Sequence, residues 1–185
     1  VVLSLLAVAF AVSLIQIRGA IFSNMLSALP LGLAIADLRK ASNAAPKNLK
    51  LDGRNPTLLY GYGGFEVSLL PHYSGSIGRA WLNRGGVYVI ANIRGGGEYG
   101  PRWHQAALKA NRHKAYEDFA AVADDLVARN ITSPAHLGAM GGSNGGLLMG
   151  NMLTQYPDKF GAIVIQVPLL DMKRYSHLLA GASWM

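Results

Sequence analysis

A mostly parallel α/β sheet with helices on both faces is the architecture this sequence predicts, and three observations lead there. Short apolar runs rich in β-branched residues recur along the chain, as TLLY at 57–60, GVYVIANI at 86–93 and GAIVIQV at 161–167. Glycine, proline or asparagine bounds them, which marks buried strands. Between the runs lie stretches with helical spacing, and an alternation of strand and helix builds parallel sheets. The runs are continuous instead of alternating, as expected of strands covered on both sides.

The first strand in this series, Thr57 to Tyr60, ends in glycine. A glycine-rich loop and a helix lead from it to the second, Gly86 to Ile93. Next comes a long helix. Tyr116, Phe119, Ala120, Ala123, Leu126 and Val127 fall on one stripe at helical spacing, and Glu117, Asp118, Asp124 and Asp125 are expected at the surface. Ser133-Pro134 then opens a short strand over Ala135 to Met140, a helix follows over Leu147 to Tyr156, and Gly161 to Val167 completes the series. No internal repeat is present.

The chain of 185 residues, 51% hydrophobic, is long enough to bury one substantial core. It has no cysteine, which removes disulfides, thiolate catalysis and cysteine-bound zinc and is permissive of a reducing compartment. The net charge of +7 comes from 17 basic and 10 acidic residues scattered singly. Without a basic run or basic helix face, no nucleic-acid partner is expected.

Residues 1–36 differ from the rest, with Arg18 their only charge before Asp37. As a helix, Val1 to Ile17 would be about 26 Å long, just short of the roughly 30 Å hydrocarbon core of a bilayer. The chain starts at valine and has no basic region ahead of this stretch, so a complete signal peptide is not visible. Two readings stay open: a membrane or signal segment, or an end that is non-native or poorly ordered. Residues 37–56, with clustered Asn, Ala, Pro and Lys, read as a linker.

The residues richest in chemistry are Gly141-Gly142-Ser143-Asn144-Gly145-Gly146, between a strand and a helix. That order is a nucleophile elbow, in which a sharp turn lifts a serine hydroxyl toward a substrate carbonyl while glycines keep side chains out of the way. A serine hydroxyl is hardly ionised near neutral pH, so Ser143 needs a base. The backbone N–H of Asn144 is placed to meet the developing oxyanion; the Asn144 side chain is expected to be incidental.

From Asn55 to Met185 the chain resembles the catalytic domain of the prolyl oligopeptidases, serine peptidases of the α/β-hydrolase fold. The matching segments are NPTLLYGYGGF at 55–65, ANIRGGGEYG at 91–100, TSP at 132–134, GGSNGGLL at 141–148 and Asp171-Met172. Asn144 and the YGYGGF loop favour the prolyl-specific branch over oligopeptidase B. The resemblance implies a partial α/β-hydrolase fold, with residues 45–185 as the N-terminal part of the catalytic domain and residues 1–44 matching nothing in the family. It implies endopeptidase action on short peptides after proline, by acyl transfer, with no cofactor or metal and a cytoplasmic location. A membrane or secretory route remains open if the apolar first segment is genuine, and oligomeric state is left open.

By the same resemblance, Tyr62 corresponds to the tyrosine whose hydroxyl gives the second oxyanion contact. Trp184 corresponds to the tryptophan that stacks on the substrate proline, and Phe65 to an apolar wall of that pocket. The triad order in this fold is serine, acid, histidine, with the last two on loops after later strands. Only Asp158, Asp171 and His177 follow Ser143 as acids and histidine, and they come too early. The acid and base are expected beyond Met185, the fragment is expected to be nearly inactive, and His72, His104, His113 and His136 read as surface or turn residues. Two alternatives stand beside peptidase action: an esterase or aminopeptidase, and a noncatalytic remnant that buries its open sheet edge against another chain.

Gly95-Gly96-Gly97-Glu98-Tyr99-Gly100 also satisfies a G-x-G-x-x-G pattern after a strand. The continuation Pro101-Arg102-Trp103-His104 does not open a long apolar helix, and Glu117 and Asp118 fall on a helix instead of a strand end. A dinucleotide site is therefore not expected.

Overall fold

Residues 12–17, 50–179 and 181 are described in a computed structural model. Five strands form one sheet: β1 (Val12–Ile17), β2 (Thr57–Tyr60), β3 (Val87–Ala91), β4 (Leu137–Gly142) and β5 (Ala162–Gln166), in the order β1-β3-β2-β4-β5. Strands β2 to β5 run parallel, while β1 pairs antiparallel with β3. Four α-helices accompany them: α1 (Gly75–Ala80), α2 (Pro101–Gln105), α3 (His113–Ala128) and α4 (Asn144–Gln155).

Strand β3 shows why its sequence is apolar throughout, since all five of its residues are buried. Successive side chains point to opposite faces. Val87, Val89 and Ala91 enter the main core with Leu59, Ala139, Phe119 of α3, and Leu148, Met149 and Met152 of α4. Tyr88 and Ile90 enter a smaller core with Leu82, and Ile77 and Trp81 from the α1 region pack against it. Helices therefore cover both faces at β3, as the sequence predicts, whereas Ala162, Val164 and Gln166 of β5 are exposed. Ser74 caps α1 by accepting from the Ile77 N–H at 3.3 Å.

Connectivity fixes where a ligand crevice opens. From β2 the chain moves outward to β3 through α1; it then crosses back through α3 to β4 and continues through α4 to β5. The neighbours β2 and β4 thus send their connections in opposite directions. That is a topological switch point, and the space outside the carboxyl ends of two such strands is where parallel sheets bind ligands. Tyr60 pairs with Met140 in this register, so the segments after both residues emerge side by side.

Several expectations are corrected. Residues 12–17, within the stretch considered as a helix, form strand β1; the remainder of 1–49 lies outside the described residues. Residues 50–56 belong to the folded body instead of a linker, because Leu51 packs on the main core and the buried Asn55 accepts at its carbonyl from the hydroxyls of Thr57 and Thr132, each at 2.9 Å. Strand β4 and helix α4 lie slightly later and earlier than predicted, meeting directly at Ser143. On α3, Val127 is 37% exposed although it falls on the predicted apolar stripe. Asp118, expected at the surface, is only 2% exposed, because it is bound by Arg94.

Candidate active site

Ser143 joins β4 to α4 with φ 57° and ψ −117°. A non-glycine residue in such a region costs on the order of 1–3 kcal/mol, so surrounding structure must hold it there. Its N–H donates to the Gln166 carbonyl at 3.0 Å, and its own carbonyl accepts the Leu147 N–H at 3.1 Å, the first bond of α4. The adjoining glycines permit the close approach. A Cβ on Gly145 would lie 2.6 Å from the Gly61 carbonyl oxygen, and one on Gly141 would lie 2.4 Å from the Gly145 carbonyl oxygen. Backbone meets backbone at both places, so no side chain can yield.

Asn144 heads α4. The N–H groups of a first helical turn have no acceptor within the helix and carry its positive dipole end, which suits an anion beside Ser143. The Asn144 side chain is not incidental, contrary to the sequence expectation. It is buried, its Nδ2 donates to the Tyr62 carbonyl at 2.7 Å, and its Oδ1 accepts from Arg112 Nη2 at 3.1 Å. The loop after β2 and the elbow after β4 are thereby tied together.

Tyr62 is half-buried in the loop after β2. The Gly61 N–H donates to the Met140 carbonyl at 3.3 Å, which sets the start of this loop on β4. Phe65 is 57% exposed at φ 54° and lines a cavity of about 710 Å³ together with Arg112, Tyr116, Leu147, Met172 and Tyr175. Tyr62 and Phe65 follow β2, and Ser143 and Asn144 follow β4, at the switch point; of these four, Phe65 and Asn144 line the cavity. Trp184 lies outside the described residues.

The loop after β3 packs against α3 and the loop after β2. Arg94 clamps Asp118 of α3 through Nε to Oδ2 at 2.7 Å and Nη2 to Oδ1 at 2.5 Å, while the Arg94 N–H also donates to Oδ2 at 3.0 Å. Downstream, Trp103 Nε1 donates to the Ile93 carbonyl at 2.9 Å. Glu98 Oε1 accepts from the Leu69 N–H at 3.0 Å and from Asn92 Nδ2 at 3.3 Å, so this loop and the loop after β2 are sewn together. Burial pushes the Glu98 carboxyl above its usual range, against the lowering effect of those bonds. The G-x-G-x-x-G segment is part of this packing and leads into the five-residue α2, not into a long helix.

The hydrogen bonds found for the histidine rings and for Asp171 go to groups other than Ser143. The rings of His72, His104, His113 and His136 make bonds to the Leu70, Gly95 and Ala110 carbonyls and the Ser133 hydroxyl, respectively. Asp171 holds Arg174 within one turn, its Oδ2 accepting from Nε at 2.7 Å. Asp158 sits in the turn Pro157–Lys159. Among the described residues, no cluster of three or more His, Asp or Glu could hold a metal, and no helix is long and apolar enough to cross a membrane.

Sequence reasoning missed Arg112, Asp118 and Glu98 as parts of this site's support. Only Arg112 carried a signal: Arg112-His113-Lys114 places three basic residues at the start of α3, where helices favour anions.

A parallel sheet covered on both faces, with a strained serine at its switch point and a helix amino end behind it, defines the α/β-hydrolase class of fold. The prolyl oligopeptidase family matches residues 71–185. The chain is 60% identical over 140 residues to an uncharacterised peptidase of Sinorhizobium fredii, covering 76% of this chain and 19% of that one. It is 45% identical over 138 residues to a prolyl endopeptidase of Elizabethkingia meningoseptica, covering 75% and 19%. The solved structure of a post-proline cleaving enzyme from Rickettsia typhi superposes with a TM-score of 0.73 at 52% identity, covering 75% of this chain and 20% of the other. This chain belongs to the prolyl oligopeptidase family, and it spans about a fifth of the length of these relatives.

Proposed function

We propose that the protein carrying this chain is a serine endopeptidase that cleaves short peptides after proline, and that residues 45–185 are a portion of its catalytic domain. The observation that carries the proposal is Ser143, held at φ 57° at the sheet's switch point, in a chain similar to prolyl endopeptidases. In this reading Ser143 Oγ attacks the scissile carbonyl carbon while a base takes its proton. The oxyanion accepts from the Asn144 N–H and the Tyr62 hydroxyl, and collapse of the tetrahedral species, with the base passing its proton to the leaving nitrogen, releases the amine and leaves an acyl-enzyme for water to hydrolyse. Phe65 and Trp184 hold the proline ring, a rigid apolar group that suits aromatic faces. The acid and histidine of the triad are supplied by residues outside this chain. A cytoplasmic location is part of the same proposal and is carried over from the family resemblance.

The test is turnover of a chromogenic Gly-Pro amide by the complete protein and by its Ser143→Ala variant. Loss of the serine is expected to reduce kcat by about 10⁶-fold. Turnover retained in Ser143→Ala, or hydrolysis of simple esters with none of proline amides, would overturn the proposal.

A further inference from the structure

We infer that Arg112 is a positioning residue for the oxyanion site, fixing the loop after β2 and the elbow after β4 in one arrangement; this rests on the function proposed above. The Arg112 Nη1 donates to the Gly63 carbonyl and its Nη2 to Asn144 Oδ1 at 3.1 Å. Asn144 Nδ2 in turn donates to the Tyr62 carbonyl at 2.7 Å. A single guanidinium therefore grips the backbone next to one proposed oxyanion donor, Tyr62, and the side chain of the other, Asn144. Its planar fork is what allows two acceptors on separate segments to be held at fixed spacing.

The location of Arg112 is unfavourable for a cation in two respects. It occupies the N-cap of α3 without making a side-chain cap bond, where Ser, Thr, Asp or Asn is preferred and the helix dipole repels a cation. The ion pairs among the described residues are formed by other side chains, so no carboxylate neutralises it there. The Tyr116 ring, 5.4 Å from Cζ to centroid, supports the guanidinium from one side. A residue placed against local preference, held by a ring and aimed at two backbone segments of a site, fits a role set by the site.

The approach of the two segments is close enough to need such a clamp. A Cβ on Gly64 would fall 2.3 Å from Asn144 Nδ2, and one on Gly145 would fall 2.6 Å from the Gly61 carbonyl oxygen. Small displacements of either segment would misalign donors that must lie about 2.7–3.1 Å from the oxyanion.

The experiment compares wild type, Ser143→Ala, Arg112→Met and Arg112→Lys in the complete protein. The readouts are kcat and KM on a Gly-Pro amide, the affinity for a peptide aldehyde ending in proline, and the thermal midpoint. The aldehyde forms a hemiacetal oxyanion and so reports on the site without turnover. Arg112→Met is expected to lower kcat and aldehyde affinity together by about 10–100-fold, less than the loss of a direct donor, with KM within about threefold. Arg112→Lys, which keeps the charge but not the fork, is expected to recover part of the loss. Equal kcat and aldehyde affinity in Arg112→Met, with Ser143→Ala inactive, would overturn the inference alone. A fall in kcat that tracks a fall in thermal midpoint, with aldehyde affinity unchanged, would overturn it as well by reducing Arg112 to a structural tether. An active Ser143→Ala variant would instead remove the function on which it rests.

Discussion

Glycines that look interchangeable in the string GGSNGG have different neighbours. A Cβ on Gly142 would meet nothing closer than 3.7 Å, whereas one on Gly145 would press on the Gly61 carbonyl at 2.6 Å. The first contact is ordinary and the second is not. Gly145→Ala is expected to destabilise the protein by about 1–3 kcal/mol and to weaken activity, because the crevice must open to admit the methyl. Gly142→Ala should cost far less. Urea denaturation of both variants is the check, and equal midpoints would refute the assignment of close approach. The same scale shows what the string concealed about Asn144: its backbone role follows from the elbow pattern, but its side-chain partners, Tyr62 and Arg112, lie 82 and 32 residues away.

Among the structural elements, the loop between β3 and α2 carries a buried carboxylate with a raised pKa. Glu98 Oε2 and Asn92 Oδ1 are buried without a hydrogen-bond partner among the described residues. Two orphan acceptors in one cluster favour a protonated Glu98, consistent with the upward shift that burial produces. The sign of the linkage follows. A folded-state pKa above the unfolded value of about 4.3 means the folded protein holds a proton the unfolded chain has released. The contribution to stability is full below about pH 4.3 and disappears as pH rises through the folded value. Glu98→Gln, which cannot ionise, should therefore gain thermal midpoint relative to wild type as pH is raised from 4 toward neutrality. Parallel midpoint curves for the two proteins would contradict this. In sequence the residue was visible only as part of a glycine pattern, since its burial depends on Leu69 from the loop after β2 and on how Asn92 folds back within its own loop.

For the whole molecule, the two edges of the sheet differ. Strand β1 covers β3, but no described strand pairs with the outer side of β5. Val164 is 45% exposed and Val167 79%, and Leu170, Met172 and Leu178 add further apolar surface nearby. An open strand edge beside apolar side chains is a template for pairing. The 185-residue chain alone is expected to self-associate, and Val164→Lys to shift it toward monomer, as read by sedimentation velocity across protein concentration. A monomeric wild-type chain at all concentrations would refute this. The net charge of +7 opposes association but is scattered, so raised salt should strengthen it.

What the sequence determined by itself was the alternation of β-branched runs with a helical stripe, the both-face burial of β3, and the serine elbow. Each is a local pattern carried by hydrophobic period or by glycine spacing within a strand-to-helix context. Only the tertiary structure decided that Val12–Ile17 joins the sheet as a strand, that Asp118 is buried under Arg94, and that Arg112 and the Asn144 side chain join two loops. Those outcomes depend on which distant segments meet, and a polar side chain's sequence neighbours do not say whether its charge will face water or another chain segment across the crevice.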